Sequence, residues 1–280
     1  MLRISIAAVA LAAFAIGAVS GAAADDKPLQ PWERKENHVK PPKGSPLDYL
    51  VSGYWFRTPK TRALQDDDFE NPAFLWVEQA EGEWTTVDGK AGKSCSSCHD
   101  AVEKSMKGVS ARYPVYSAKN KKMMAITHQV NYCRENYMKA KKWKWESDKM
   151  LGMTSLIGLQ SRGMPVNVSI DGPAKKFFEA GEKFYHQRRG QFDLACVHCH
   201  QGNFGQYIRA DFLSQGHSNG FPTYRLKWQK LGSLHRRFRG CNNNIRAVPY
   251  KRGSPEYTNL ELYLAWRGQG LKVEAPSVRQ

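Results

Sequence analysis

The chain has 280 residues, with 42 lysines and arginines against 26 aspartates and glutamates and a formal net charge of +16. That length allows two domains of ordinary size. The basic balance suits small anions or an acidic partner protein. Nucleic acid is excluded by the absence of a nucleic-acid motif and by the export signal at the amino terminus.

Met1-Leu2-Arg3 is a short basic start. Ile4 to Val19 is a nearly unbroken apolar run, and Ala22-Ala23-Ala24 supplies small residues. This is the layout of a secretory signal peptide over residues 1–24, with cleavage expected after Ala24. The run is about 16 residues, short of the roughly 20 of a spanning helix, and no later segment is apolar enough to cross a bilayer. The mature protein is therefore expected to be soluble in an oxidising compartment.

Residues 25–44 are polar and rich in proline and read as an irregular extension. Ser45-Pro46-Leu47-Asp48 predicts a helix start, with a cap, a first-turn proline and an acid three residues after the cap. Asn71-Pro72 predicts the opening of the next helix, and Asp171-Gly172-Pro173 a counterpart further on. Phe177, Phe178, Gly181, Phe184 and Tyr185 recur at helical spacing. Leu260, Leu262, Tyr263, Leu264 and Trp266 mark a last helix, closed by Gly268 and Gly270. The strand signal is weak, with Val166-Asn167-Val168 the best short case. The chain reads as mainly α with much loop.

Two pentapeptides repeat. Cys95-Ser-Ser-Cys98-His99 and Cys196-Val-His-Cys199-His200 are offset by 101 residues. Pro72-Ala73, Glu78, Glu81 and Trp84 fall on Pro173-Ala174, Glu179, Glu182 and Tyr185 at the same offset. Downstream the register slips. Cys133 lies on Cys241 at offset 108, and Gly163 and Val166 on Gly270 and Val273 at 107. Two copies of one unit are expected, at residues 45–170 and 171–280.

Cys-x-x-Cys-His suits covalent haem attachment. Two thiols add to the porphyrin vinyl groups, and the adjacent histidine gives a nitrogen to iron. Zinc would need four ligands in one cluster, whereas these motifs sit in separate units; six cysteines would also suffice for three disulfides. A haem would supply much of the core of each small unit. Two haem c groups are thus expected, on Cys95 and Cys98 and on Cys196 and Cys199, with His99 and His200 as axial ligands. The order of helix, Cys-x-x-Cys-His and closing helix resembles the small class I cytochrome c domain. The resemblance implies two such domains in tandem after the irregular extension.

Each iron has a further axial position, commonly methionine and next histidine. After Met164 the chain has no methionine. Downstream of His200 the candidates are His217, His235 and Cys241, while His128, Cys133 and several methionines compete in the first unit. The repeat pairs Cys133 with Cys241, so the economical reading makes each lone cysteine the thiolate ligand of its own unit. A disulfide between the two is the alternative, as are two ordinary buried cysteines. Arg236, Arg237 and Arg239 adjoin Cys241. Positive charge favours thiolate, and guanidinium groups bind oxyanions. Arg237 stands one helical turn before Cys241.

The two Cys-x-x-Cys-His motifs, Cys133 and Arg237-Phe-Arg-Gly-Cys241 resemble the SoxA family, dihaem subunits of the periplasmic SoxAX cytochromes of sulfur-oxidising bacteria. The resemblance implies oxidative conjugation of thiosulfate to a cysteine of a SoxYZ carrier protein. It implies Cys241 as the catalytic, persulfide-forming cysteine and Arg237 as a substrate-binding residue. It also implies a SoxX-like monohaem cytochrome c as partner, a downstream cytochrome c as acceptor, and a periplasmic location. A thiosulfate dehydrogenase forming tetrathionate and a plain dihaem electron-transfer cytochrome are the competing readings. His186 and His198 read as surface or packing residues, and Lys139, Lys141, Lys142 and Lys144 as a solvated or docking face.

Overall fold

The computed structural model of the chain describes residues 29–280. The expected signal peptide, residues 1–24, lies outside the described residues, as does the start of the extension.

From residue 29 the extension runs through two short 3-10 turns, Pro31–Glu33 and Lys35–Asn37, to an antiparallel bridge between Val39 and Leu50. Trp32 anchors it, stacked on Phe56 at 4.9 Å and packed against Phe212 at 4.4 Å. Gln215 holds the strap from the other side, accepting from Val51 N at 2.9 Å and donating to Tyr49 O at 3.0 Å. The helix expected at Ser45 does not form. Leu47, Leu50 and Val51 are buried, and the N–H groups of Leu50 and Val51 go to Val39 and Gln215. Extended pairing satisfies that backbone while burying the same apolar side chains.

The first helix, α1 (Pro59–Asp66), starts at a Thr58 cap with proline in its first turn. Next come α2 (Phe74–Thr85), the short turns α3 (Ser96–His99) and α4 (Val102–Ser105), and a hairpin of β1 (Val115–Ser117) with β2 (Lys122–Met124). Helix α5 (Ile126–Cys133) runs into a π-helical turn over Arg134–Met138, and α6 is Asp148–Leu159. The order then recurs with α7 (Lys175–His186) and α8 (Cys196–His200), followed by the hairpin β3 (Tyr207–Ile208) and β4 (Asp211–Phe212). Strands β5 (Thr223–Arg225) and β6 (Lys230–Gly232) precede α9 (Leu234–Asn244) and α10 (Pro255–Arg267). The chain closes on β7 (Ser277–Arg279), which pairs parallel with β5 on the edge opposite β6. The expected strand at Val166 is only a bridge between Pro165 and Lys272. Val166 N bonds to Leu271 and Asn167 N to Ala111, so successive residues pair with different segments and no ladder can extend.

Helix α2 packs on α6, and α7 on α10. Both crossings need a residue without bulk. A Cβ on Gly152 of α6 would stand 2.5 Å from Trp76 O and 3.3 Å from the Ala80 Cβ; one on Gly181 of α7 would overlap Asn259 O. Ala80 and Gly181 share the 101-residue offset, and Gly152 and Asn259 the 107-residue offset. The same close crossing thus occurs twice, with its glycine on opposite helices. A second pair of glycines repeats too. Gly89 (φ +76°) and Gly190 (φ +69°) lie against the backbones of Met138–Ala140 and Ile245–Ala247. Only glycine takes that left-handed conformation with backbone so close.

The halves share one mixed core, in which Ala111, Met123, Val166 and Val168 lie with Tyr257 and Leu262, and meet along two further seams. Tyr224, Leu231 and Val278 of the three-stranded sheet share a core with Ala73 and Leu151. Trp145 lies stacked on His235 and edge-on to His128, each at 4.8 Å.

Candidate functional site

Each Cys-x-x-Cys-His motif forms a short helical turn behind a buried aromatic residue. Trp84 donates through Nε1 to Asp100 O at 2.8 Å, its ring 6.0 Å from His99; Tyr185 is fully buried behind the second turn. Cys95 packs against the core that holds Trp84 and Met153, and Cys196 against the core that holds Tyr185 and Phe238. Burial pushes the Cys95 thiol up to about 11 and the Cys196 thiol up to about 12. Both are thus neutral thiols in apolar surroundings.

All six cysteines are free, so Cys133 and Cys241 are not joined. Each instead approaches the motif of its own half. Cys133 lies close enough to Cys95 and Cys98 to influence their electrostatics or be influenced by them. Gln129 Nε2 donates to its sulfur at 3.3 Å, but burial dominates and raises the thiol. Cys241 lies beside Cys196, Cys199 and His200. Burial pushes this thiol up too. The Arg237 guanidinium, a hydrogen bond with His200 and the nearby charge of Arg225 outweigh that, and together bring it down to about 6. Cys241 is the thiol of the chain that the fold prepares as an anion at neutral pH.

Helix α9 sets this geometry. Ser233 caps it, accepting from Arg236 N at 3.1 Å, and Leu234, Phe238 and Asn242 form its buried face. Arg237 and Cys241 follow one another by one turn. Among the described residues Arg237 makes no ion pair. Of the rival ligands, His235 is engaged by Glu261 at 2.9 Å and by Gly253 N at 2.9 Å. His128 is engaged by Gly253 O at 3.0 Å. Met123, Met124, Met138, Met150 and Met153 are core residues.

The sequence reading missed the supports of His200. Its Nδ1 donates to Ser214 O at 2.8 Å, which fixes the ring and leaves Nε2 as the nitrogen that would serve as a metal ligand. Gly216 (φ +78°) lets that loop lie on the ring, since a Cβ would stand 2.8 Å from His200 Cγ. His217 is buried; burial first, then Arg267 and His200, drive its pKa down to about 3. Arg267 is wholly buried, stacked 4.5 Å over Tyr185, with Nε and Nη2 unpartnered. These supports have no motif of their own, and a loop carbonyl or a buried arginine becomes visible only once the chain is folded. His99 lacks a comparable carbonyl partner among the described residues and is exposed.

These residues fit haem c. Paired free thiols stand on one turn, an imidazole is fixed through Nδ1, a lone cysteine faces it, and orphaned buried donors of Arg267 are of the kind that propionate carboxylates satisfy. Fold and site together define a c-type cytochrome. Residues 79–166 match the family model described as the SoxA/TsdA cytochrome c domain. The chain is 46% identical over 270 residues to the L-cysteine S-thiosulfotransferase subunit SoxA of Rhodovulum sulfidophilum, 94% of each chain being covered. It is 47% identical over 233 residues to the corresponding subunit of Paracoccus pantotrophus, covering 83% of this chain and 80% of that one. A chain in the crystal structure of SoxXA from P. pantotrophus superposes with a TM-score of 0.81 at 46% identity, over 84% of this chain and 88% of that one. The chain belongs to the SoxA family. Among the described residues no helix is long and apolar enough to cross a membrane.

Proposed function

We propose that this chain conjugates thiosulfate oxidatively to a cysteine of a SoxYZ-type carrier protein, as the SoxA-type subunit of an L-cysteine S-thiosulfotransferase. Residues 45–170 and 171–280 are two cytochrome c-like domains in tandem, each holding one haem c. Cys95 and Cys98 would attach the first, with His99 and Cys133 as its iron ligands; Cys196 and Cys199 would attach the second, with His200 and Cys241 as its iron ligands. The observation that carries this reading is the placement of Cys241, beside Cys196, Cys199 and His200 and one turn of α9 after Arg237.

The overall change joins a carrier thiol, R–SH, to thiosulfate. It yields R–S–S–SO₃⁻, one proton and two electrons. Haem c held at these residues would supply the oxidising equivalents, as a one-electron acceptor. Arg237 binds the substrate dianion through paired hydrogen bonds and neutralises charge that would otherwise repel the Cys241 sulfur. Cys241 is the sulfur atom at which sulfane sulfur is received and passed on. Gly240 leaves open space beside it, with nothing within 4 Å of where a Cβ would stand, room for a carrier arm to reach in. A SoxX-like monohaem cytochrome c receives the electrons and passes them to a further cytochrome c, in the periplasm. The likeness to a chain of SoxXA supports that pairing.

The test is a Cys241→Met variant assembled with the monohaem partner and assayed on reduced carrier by intact mass. Both covalent haems should remain while the thiosulfate adduct on the carrier is lost; a normal yield of adduct rejects the role of Cys241. A tetrathionate assay without carrier separates this reading from a thiosulfate dehydrogenase.

A further inference from the structure

Arg237 has a neighbour that its own helix does not supply. At the end of β5, Arg225 lies 4.9 Å over the Trp228 ring, and Arg236 lies 4.3 Å over the same ring. The indole is seated by Gly232, where any Cβ would overlap the Trp228 ring. The Arg225 side chain is only 11% exposed, and its Nε donates to Gln280 O at 2.7 Å. Its remaining charge partner is Asp211, at 3.9 Å, and Asp211 is already taken by Lys227 at 2.5 Å. Behind it Arg57 donates to Gln280 Oε1 and to Phe212 O, each at 3.0 Å, and keeps an unpartnered buried Nε. Burial, then Arg237, push the Arg225 guanidinium down to about 10. The guanidinium groups of Arg57 and Arg225 thus share the Asp211 carboxylate with Lys227, Arg236 and Arg237 stand close to Arg225, and Arg225 and Arg237 both bear on the Cys241 thiol. Such a surplus of like charge, partly removed from water, is stable only with an anion among it.

We propose that Arg225 is a second substrate-binding residue, gripping the trioxosulfur end of thiosulfate together with Arg237 while the terminal sulfur faces Cys241. The proposal rests on the reading of the site as a thiosulfotransferase centre. The two arginines come from different elements, so their planar forks meet the tetrahedral group from two sides. Three equivalent oxygens offer more acceptors than one guanidinium can use. Trp228 acts through Arg225: its ring fixes the guanidinium plane and lowers the entropy lost on binding. The site would take thiosulfate and its shorter analogue sulfite, and would discriminate against monoanions.

The experiment uses the complex of this chain with its monohaem partner, in wild-type form and as Arg225→Gln, Arg225→Lys and Trp228→Leu. Calorimetric titration with sulfite gives the binding constant without turnover, and carrier assays give KM and kcat. Arg225→Gln is expected to weaken sulfite binding and raise the thiosulfate KM at least tenfold, with haem spectra unchanged. Arg225→Lys should recover part of the loss, and Trp228→Leu should fall between wild type and Arg225→Gln. Sulfite affinity and KM both within twofold of wild type in Arg225→Gln would overturn the proposal. So would a loss that brings a changed haem spectrum and is not eased by lysine, since that is a structural role. Failure of the wild-type complex to modify carrier would instead overturn the thiosulfotransferase reading.

Discussion

At the scale of single residues, the second motif depends on groups chosen for what they leave out. Gly216 has a left-handed φ and faces the His200 ring, so a methyl group there meets both backbone strain and the imidazole. Gly216→Ala should destabilise the protein by about 1–3 kcal/mol and shift the spectrum of haem held at His200; unchanged melting and spectrum would contradict this. His217 gives a pH signature. Its folded pKa is about 3, below the ordinary histidine value near 6.5, so the unfolded chain binds its proton first as pH falls. Stability from this group is complete above about 6.5 and is lost at about 1.4 kcal/mol per pH unit as pH drops toward 3. Denaturation midpoints between pH 6 and 4 should therefore fall less steeply in His217→Gln; parallel curves would show that the group stays uncharged in both states or charged in both.

At the scale of elements, the helix crossings are the parts that the repeat places most firmly. Gly181 lies where α7 touches the backbone of α10 at Asn259, and Gly82 on α2 has nothing within 4 Å of its Cβ position. Gly181→Ala should cost about 1–3 kcal/mol or more by forcing the helices apart. Gly82→Ala should stabilise by about 0.5–1 kcal/mol through helix propensity alone. Denaturant midpoints on the two variants check the pair, and equal effects would mean that the crossing yields without strain. Helix periodicity was readable at α7 and α10 because their apolar residues recur at a spacing set by the helix itself. The Ser45 start and the Val166 strand were misread because local cap chemistry and β-branching yielded to partners far along the chain, Gln215 in one case and Lys272 with Ala111 in the other.

At the scale of the whole molecule, the halves are joined by Trp145, which bridges His128 and His235, and by a sheet whose last strand comes from the carboxyl terminus. Trp145→Ala should remove about 3 kcal/mol and lower the calorimetric midpoint of unfolding, while the core shared by Met123, Val166 and α10 keeps the halves together. An unchanged midpoint would show that the shared core and the sheet suffice without it. The same sheet carries Arg225 to Cys241, so the seam between the halves also completes the charge around the thiol.

The amino-acid sequence by itself determined the two Cys-x-x-Cys-His motifs and their repeat, the lone cysteines and the place of Arg237 one turn before Cys241, since each is a matter of residue type and position along the chain. Tertiary structure alone decided that Cys241 meets His200, that Ser214 and Gly216 hold the imidazole, and that Arg225 arrives from a strand to join Arg237. Those contacts link segments distant in the chain, and their energies come from burial and from charge in a water-poor site, neither of which exists until the chain has folded.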